Sequence, residues 1–274
     1  MPMPELKFIK SGLLITTGAI LANAFWTEKY LIETNKFYLG SATKDTKNIT
    51  IVQISDLHLR SISYRLTQLI NKINKLQPDL ILITGDAIDD EKKISLLKDF
   101  LKLIDNGIQK AAILGNWEYQ AKVDLIELRK IYADNNCNLL INQTIQYSFQ
   151  NKTISITGID DYLRGNADFN SAIKNYKKSD YHIILTHCPK YSDDISKQIN
   201  ENTNVDFILS GHTHGGQITL FGYAPNLPHG SGKYIKGWYN NRNPKLYVSK
   251  GIGTVVVPIR FGARAEIAIF NLAT

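Results

Sequence analysis

Five apolar runs rich in Ile, Leu or Val each end in a short motif of oxygen- and imidazole-bearing residues. IVQIS precedes Asp56-Leu57-His58, LILIT precedes Gly85-Asp86, and AAIL precedes Gly115-Asn116. HIILT precedes His187, and FILS precedes Gly211-His212-Thr213-His214. Such runs read as buried strands. A chain that places polar residues at five strand ends is constrained to an α/β fold, because sites in such folds gather at the carboxyl ends of strands. The converging side chains are Asp56, His58, Asp86, Asn116, His187, His212 and His214. No Cys is among them, so the set suits hard or borderline divalent metals rather than a structural Cys-zinc site.

Between the motifs the periodicity alternates. Ile62, Leu66, Leu69, Ile70, Ile73 and Leu76 recur at helical spacing, and Pro78 ends that helix. A strand follows at 80–83. Ile94, Leu97, Leu101 and Ile104 mark a second helix, stopped at Asn106-Gly107. A strand at 111–114 and a helix at 122–134 come next. Two adjacent strands, 145–149 and 153–159, flank a turn at 150–152. A helix near 169–176 separates them from a strand at 182–186. Three short strands are expected at the end, at 245–248, 254–257 and 265–271.

The order and spacing of the motifs resemble the calcineurin-like metallophosphoesterases. The segments VQISDLHL, ITGDAID, GIDD, SGHTHGGQI and YVSKGIGTVVVPIRFGARAEIAIFNL are similar to a bacterial membrane-associated branch of phosphodiesterases and UDP-2,3-diacylglucosamine pyrophosphatases. The resemblance covers roughly residues 49–272. It implies an α/β fold with a four-layer α/β/β/α sandwich of two mixed sheets flanked by helices. It also implies two divalent ions, with manganese, zinc and iron all open. By that resemblance Asp86 bridges the ions. Asp56, His58 and His214 complete the first site, and Asn116, His187 and His212 the second. Asp86, Asn116 and His187 are the expected catalytic positions. Asp89 stands three residues after Asp86, where purple acid phosphatases place a metal-bound Tyr, which disfavours an iron-tyrosinate site. The glycines Gly85, Gly115 and Gly211 are expected to let the backbone turn sharply before each ligand.

The implied reaction is two-metal hydrolysis of a phosphoester or phosphoanhydride, with ions about 3.5–4 Å apart sharing the attacking hydroxide. One departure matters. Many relatives read Gly-Asn-His, with the His beside the leaving group, whereas this chain reads Gly115-Asn116-Trp117-Glu118. Trp cannot act as a general acid, a function that contributes typically ~10²–10⁴-fold. The departure favours a good leaving group, as in a pyrophosphate or activated diester. Glu118 could substitute as the acid, but it reads rather as a surface residue. Trp117 is a candidate substrate contact, as are Arg260 and Arg264, since Arg suits bidentate phosphate recognition.

The chain has 274 residues and a formal net charge of +7. The charge favours anionic partners, either a phosphorylated small molecule or a lipid at a membrane surface, unless Lys is merely scattered over solvated faces. No nucleic-acid motif accompanies it. Residues 11–27 carry no charge. Residues 1–27 read as a membrane anchor or a cleaved signal, with Ala22-Asn23-Ala24 as the cleavage site. Residues 28–48 read as a linker with an edge strand near 36–39, and the metallophosphoesterase domain is expected to span 49–274. Cys188, beside His187, is expected to line the site without ligating metal. His182 reads as a satisfied polar residue, and His229 as one whose loop could border the site. The aromatic residues Phe221, Tyr223, Tyr234, Trp238 and Tyr239 could form a lipid-facing rim. The best-guess substrate is UDP-2,3-diacylglucosamine. The alternatives are a general phosphodiesterase on a small or exported substrate, and a non-catalytic scaffold, which should have lost ligands that this chain retains.

Overall fold

The computed structural model describes residues 31–201, 203–220 and 222–274, together with Lys10, Ser11 and Glu28. The expected anchor or signal segment therefore lies outside the described residues, Lys10 and Ser11 apart. Among the described residues, no helix is long and apolar enough to cross a membrane.

Two six-stranded mixed sheets form the centre. The first runs β1 (Glu33–Leu39), β12 (Glu266–Ala273), β2 (Asn48–Ile54), β3 (Leu80–Thr84), β4 (Gln109–Ile113), β5 (Cys137–Leu139). The second runs β10 (Gly237–Tyr239), β11 (Lys245–Val248), β9 (Phe207–Ser210), β8 (Tyr181–Leu185), β7 (Lys152–Gly158), β6 (Gln143–Phe149). The helices are α1 (Tyr64–Leu76), α2 (Ile94–Leu103), α3 (Asn116–Gln120), α4 (Leu125–Asp134), α5 (Phe169–Ala172) and α6 (Tyr191–Gln198).

The alternation of side chains along a strand creates the layers. On β3, Leu80 and Leu82 face the second sheet, while Ile81 and Ile83 face α1 and α2. On β9, Phe207 and Leu209 point inward and Ile208 points to the outer helices. Apolar runs buried on both faces are what a sheet covered on both sides requires. The result is an α/β/β/α sandwich with three apolar cores. The long core-facing helix α1 starts at Ser63, whose hydroxyl accepts the N–H of Leu66, and ends at Gln77 in a left-handed conformation just before Pro78.

Several expectations change. β1 is an integral edge strand, paired in parallel over seven residues with β12, so the sandwich begins at Glu33 rather than at residue 49. The segment 254–257 is not a strand but a loop, in which Val256 has φ 60°. Residues 116–134 form two helices, because Asp124 caps α4 with its own side chain. Helix α5 is only one turn long. Strands β5 and β10 and helix α6 carry too little apolar periodicity to have been legible.

Candidate metal centre

Register brings the ligand-type residues together. β2, β3 and β4 are parallel, with Ile54 beside Ile83 and Thr84 beside Ile113. The loops that follow must therefore lie side by side. The N–H of Asp56 bonds the Gly85 carbonyl at 3.1 Å, and that of His58 bonds the Asp86 carbonyl at 3.0 Å. In the second sheet β8 and β9 are parallel, and the N–H of Gly211 bonds the His187 carbonyl at 3.1 Å. The two sheets meet where the His212 N–H donates to both oxygens of Asp56, at 3.0 and 3.1 Å.

Two buried clusters result, Asp56 with His58 and His214, and Asp86 with His187 and His212. Within each, the possible ligand atoms lie within 4.8 Å of one another. Asp86 Oδ2 lies 3.6 Å from His58 Nε2 and 3.1 Å from His187 Nε2, so it stands between the clusters. Its other oxygen accepts the Trp117 N–H at 2.9 Å.

Backbone carbonyls orient two of the rings. His187 Nδ1 faces the Thr84 carbonyl at 2.8 Å, and His212 Nε2 faces the His229 carbonyl at 2.7 Å. A carbonyl only accepts, so each of those nitrogens carries the hydrogen. The opposite nitrogen of each ring faces the cluster, where it would give its lone pair to an ion. Thus the His229 loop borders the site through its backbone. His182 lies elsewhere, bonded to Thr157 and to the Asn204 carbonyl.

The donor set fits divalent ions. Both ring nitrogens of His58 and the Oδ1 of Asn116 are buried without a hydrogen-bond partner among the described residues. Buried polar atoms are rarely left so. The electrostatics agree. Burial, then the neighbouring His187, depress His212 to about 4 against the opposing pull of Asp86. Burial also lowers His58 and His214, the latter helped by His58 and Arg260. Neutral imidazole is the ligating form. Burial raises Asp56, and it opposes the charge on Asp86 too, though His187 and His58 hold Asp86 below the usual carboxylate range. His187 itself is raised, the pull of Asp86 outweighing burial. Two carboxylates this close, largely among neutral rings, leave a negative site that cations would balance.

Five of the seven residues sit in the left-handed region: Asp56, His58, Asp86, His212 and His214, with φ between 41° and 72°. Such backbone costs of order 1–3 kcal/mol per residue and collects at functional sites. Gly85 turns the chain with φ 89°, as expected. Gly115 and Gly211 serve differently. Gly115 is extended, and a Cβ there would meet Asp86 Oδ1 at 2.2 Å. A Cβ on Gly211 would meet Ser55 Oγ at 2.0 Å. Both are needed for close approach rather than for a turn.

Other expected site residues fall differently. Trp117 is half-buried, edge-on to His58 with ring centroids 5.8 Å apart, and lines the cleft. Arg260 is fully buried and spends its guanidinium on the carbonyls of Lys250 and Ala263, both at 2.8 Å, and of Gly253. It has no face left for a phosphate and instead holds the 250–263 loop under His214. Arg264 is exposed and outside the cleft lining. Glu118 is not on the surface. It is 1% exposed and accepts backbone N–H groups from Gly115 at 2.9 Å and Ala87 at 2.6 Å. Burial, then repulsion from Asp86, push it up to about 7. Cys188 is buried against Asp161 and raised well above a reactive thiol. Tyr234, Trp238 and Tyr239 pack inward rather than forming a rim, Trp238 edge-on to Phe37 and Phe270. Tyr223 is exposed, and Phe221 lies outside the described residues.

Sequence reasoning missed another pocket of about 180 Å³ that His58 also lines, together with Arg60, Ser61, Ser63 and Arg65. The signal was there, since Arg60 follows His58 by two residues on the same loop.

A layered α/β/β/α sandwich with two abutting His/Asp clusters at its strand ends defines a metal-dependent hydrolase. Residues 49–216 match the family model described as calcineurin-like phosphoesterase, and the chain belongs to that family. It is a metal-dependent phosphoesterase, of a family that uses two divalent ions. The metallophosphoesterase YkuE of Bacillus subtilis is 31% identical over 269 residues, covering 94% of this chain and 91% of its own. YkoQ, another metallophosphoesterase of Bacillus subtilis, is 31% identical and covers 82% and 84%. Among solved structures, the sulfate thiohydrolase SoxB of Thermus thermophilus shares the fold, with a TM-score of 0.51 and 12% identity over 82% of this chain and 56% of that one.

Proposed function

We propose that this chain hydrolyses a phosphoanhydride or an activated phosphodiester whose leaving group departs without a proton. The substrate class is a lipid-linked nucleotide diphosphate such as UDP-2,3-diacylglucosamine, met at a membrane surface. The observation that carries the reaction is the place of Asp86 Oδ2 between His58 and His187. Asp56, His58, Asp86 and His214 would hold one ion, and Asp86, Asn116, His187 and His212 the other. When bound, two such ions polarise the phosphoryl oxygens and lower the pKa of water.

The rest falls to the chain itself. The carbonyls of Thr84 and His229 keep the rings of His187 and His212 aimed at the cleft. Trp117 walls the position beside Asn116 and has no proton to give at neutral pH. Glu118 is turned into the backbone, and the Tyr119 hydroxyl is bonded to Asp160 at 2.7 Å. Apart from the metal-binding groups, no acid lines the cleft among the described residues. That favours a leaving group as weakly basic as a nucleotide phosphate over an alkoxide. The net charge of +7 and the uncharged stretch at 11–27 support an anionic substrate at a bilayer.

The test is manganese-supplemented hydrolysis by the full chain of UDP-2,3-diacylglucosamine, an aryl phosphodiester and an aryl monoester. Preference for the UDP-lipid, lost in Asp86→Asn, is expected. Activity confined to the aryl esters would keep the chemistry and discard the lipid nucleotide.

A further inference from the structure

One wall of the metal cleft is apolar. A cavity of about 470 Å³ is lined at one end by Asp86, Asn116, His212 and His214, and at the other by Ile218, Pro225 and the three valines Val255, Val256 and Val257. Val256 is 89% exposed, Val257 42% and Ile218 37%. Val256 also has φ 60°. A β-branched residue in the left-handed region is a genuine outlier, with Cβ pressed against its own backbone. Exposure and backbone strain both count against valine here, so the folded chain must hold it in place.

The holding groups are visible. Gln217, three residues after His214, donates to the carbonyls of Val255 and Val257, both at 3.0 Å, and accepts the Val255 N–H at 2.9 Å. Its carbonyl accepts the Phe261 N–H at 2.8 Å, and the Thr219 N–H bonds the Phe261 carbonyl at 2.7 Å. Arg260 pins the same loop from below through Gly253. The valine lip is thus fastened to the loop that carries His212 and His214. A strained apolar lip, rigidly fixed to ligand residues and opening into their cavity, is a built surface rather than a stray patch.

We propose that Val255, Val256, Val257 and Ile218 form a hydrocarbon subsite. The substrate class is a phosphate ester or anhydride with an alkyl or acyl chain close to the scissile phosphorus. This rests on the phosphoesterase reading of the cleft but does not require a uridine nucleotide. The chain lies along the lip while the phosphate occupies the clusters. Burying methylenes there makes affinity grow with chain length.

The experiment is calorimetric titration of the manganese-loaded full chain with methylphosphonate and octylphosphonate below its micelle concentration. Octylphosphonate should bind on the order of 10- to 100-fold tighter if a few methylenes are buried. Val256→Asp should bring the two ligands within roughly threefold of each other, given the cost of a charge against a hydrocarbon. Val257→Ser gives a second reading at a less exposed position. Equal affinities in the unaltered protein overturn the subsite, and so does a chain-length preference that survives both substitutions. Binding to phosphatidylglycerol vesicles without that preference would also overturn it, making the lip a bilayer contact. Turnover of an aryl phosphodiester and of UDP-2,3-diacylglucosamine, run in parallel, tests the phosphoesterase reading alone. Its failure beside intact chain-length selectivity would sink that reading and leave the apolar subsite standing.

Discussion

Asp86 and Glu118 are tied to each other's loops. Glu118 Oε2 accepts the N–H of Asp86 at 3.2 Å, while Asp86 Oδ1 accepts the N–H of Trp117, the residue before Glu118, at 2.9 Å. Glu118 also takes the N–H groups of Ala87, Ile88 and Gly115. One buried carboxylate therefore sets the distance between the loop that carries Asp86 and the loop that carries Asn116.

Removing that carboxylate should loosen both loops. Glu118→Ala leaves several buried N–H groups without an acceptor, at about 1–3 kcal/mol for each group that water cannot reach. A total loss on the order of 3 kcal/mol is expected in urea unfolding, with metal affinity falling roughly 10- to 100-fold, as for outer partners of metal ligands. Glu118→Gln keeps one acceptor oxygen and should fall between the two. An alanine variant with unchanged stability and metal content would show that the clamp is idle.

Metal removal should destabilise the fold. His58 and Asn116 bury polar atoms with no hydrogen-bond partner among the described residues, and Asp56 and Asp86 lie close together at the same site. A ligand that binds only the folded state adds about 4 kcal/mol when present at a thousand times its Kd. In a chain of this size each kcal/mol moves Tm by roughly 2–4 °C. Chelation should therefore lower Tm by roughly 10 °C, and added manganese should restore it. Confirmed loss of metal without a change in Tm would count against a site built from these residues.

His182 gives a pH dependence separate from the metal centre. Burial lowers it to about 4, against the smaller opposing effect of its bond to the Asn204 carbonyl. Its ordinary value is near 6.5. Between those values the unfolded chain binds the proton and the folded chain does not, so this contribution to stability is whole above pH 6.5. It falls as pH drops and is gone below about 4, a change on the order of 3 kcal/mol. His182→Gln removes the slope. The stability difference between the two proteins should shrink from pH 7 to pH 4.5, as read from urea midpoints. An equal difference at both pH values would refute the assignment.

What the sequence made legible follows from register. Parallel strands put their carboxyl ends in one row, so a polar motif after each apolar run was enough to gather Asp56, Asp86, Asn116, His187 and His212. Glu118 was not legible, because it is the third residue of a five-residue helix too short to have a periodicity. Thr254 to Val257 looked like a strand from four β-branched residues in a row, yet the side chain of Gln217 takes the backbone groups of Val255 and Val257 where another strand would have paired. Helix α6 leaves most of its polar residues half-buried and buries only Tyr191, Ser192 and Ile195, too few to print an apolar stripe.

Arg260 separates a structural role from a substrate-binding one. It is fully buried and its donors meet the carbonyls of Lys250, Gly253, Ala263 and His214. Those carbonyls belong to the loop beneath the first cluster and to His214 itself. Arg260→Lys keeps the charge but cannot span the same carbonyls, since a single ammonium replaces a planar fork. It should destabilise the fold by about 2–4 kcal/mol, as expected when buried charge-assisted bonds are broken. The effect on turnover should follow metal content, with KM for a soluble aryl diester changing little once the site is saturated with manganese. A large rise in KM at full metal occupancy and unchanged Tm would return Arg260 to direct phosphate binding and overturn the buried geometry.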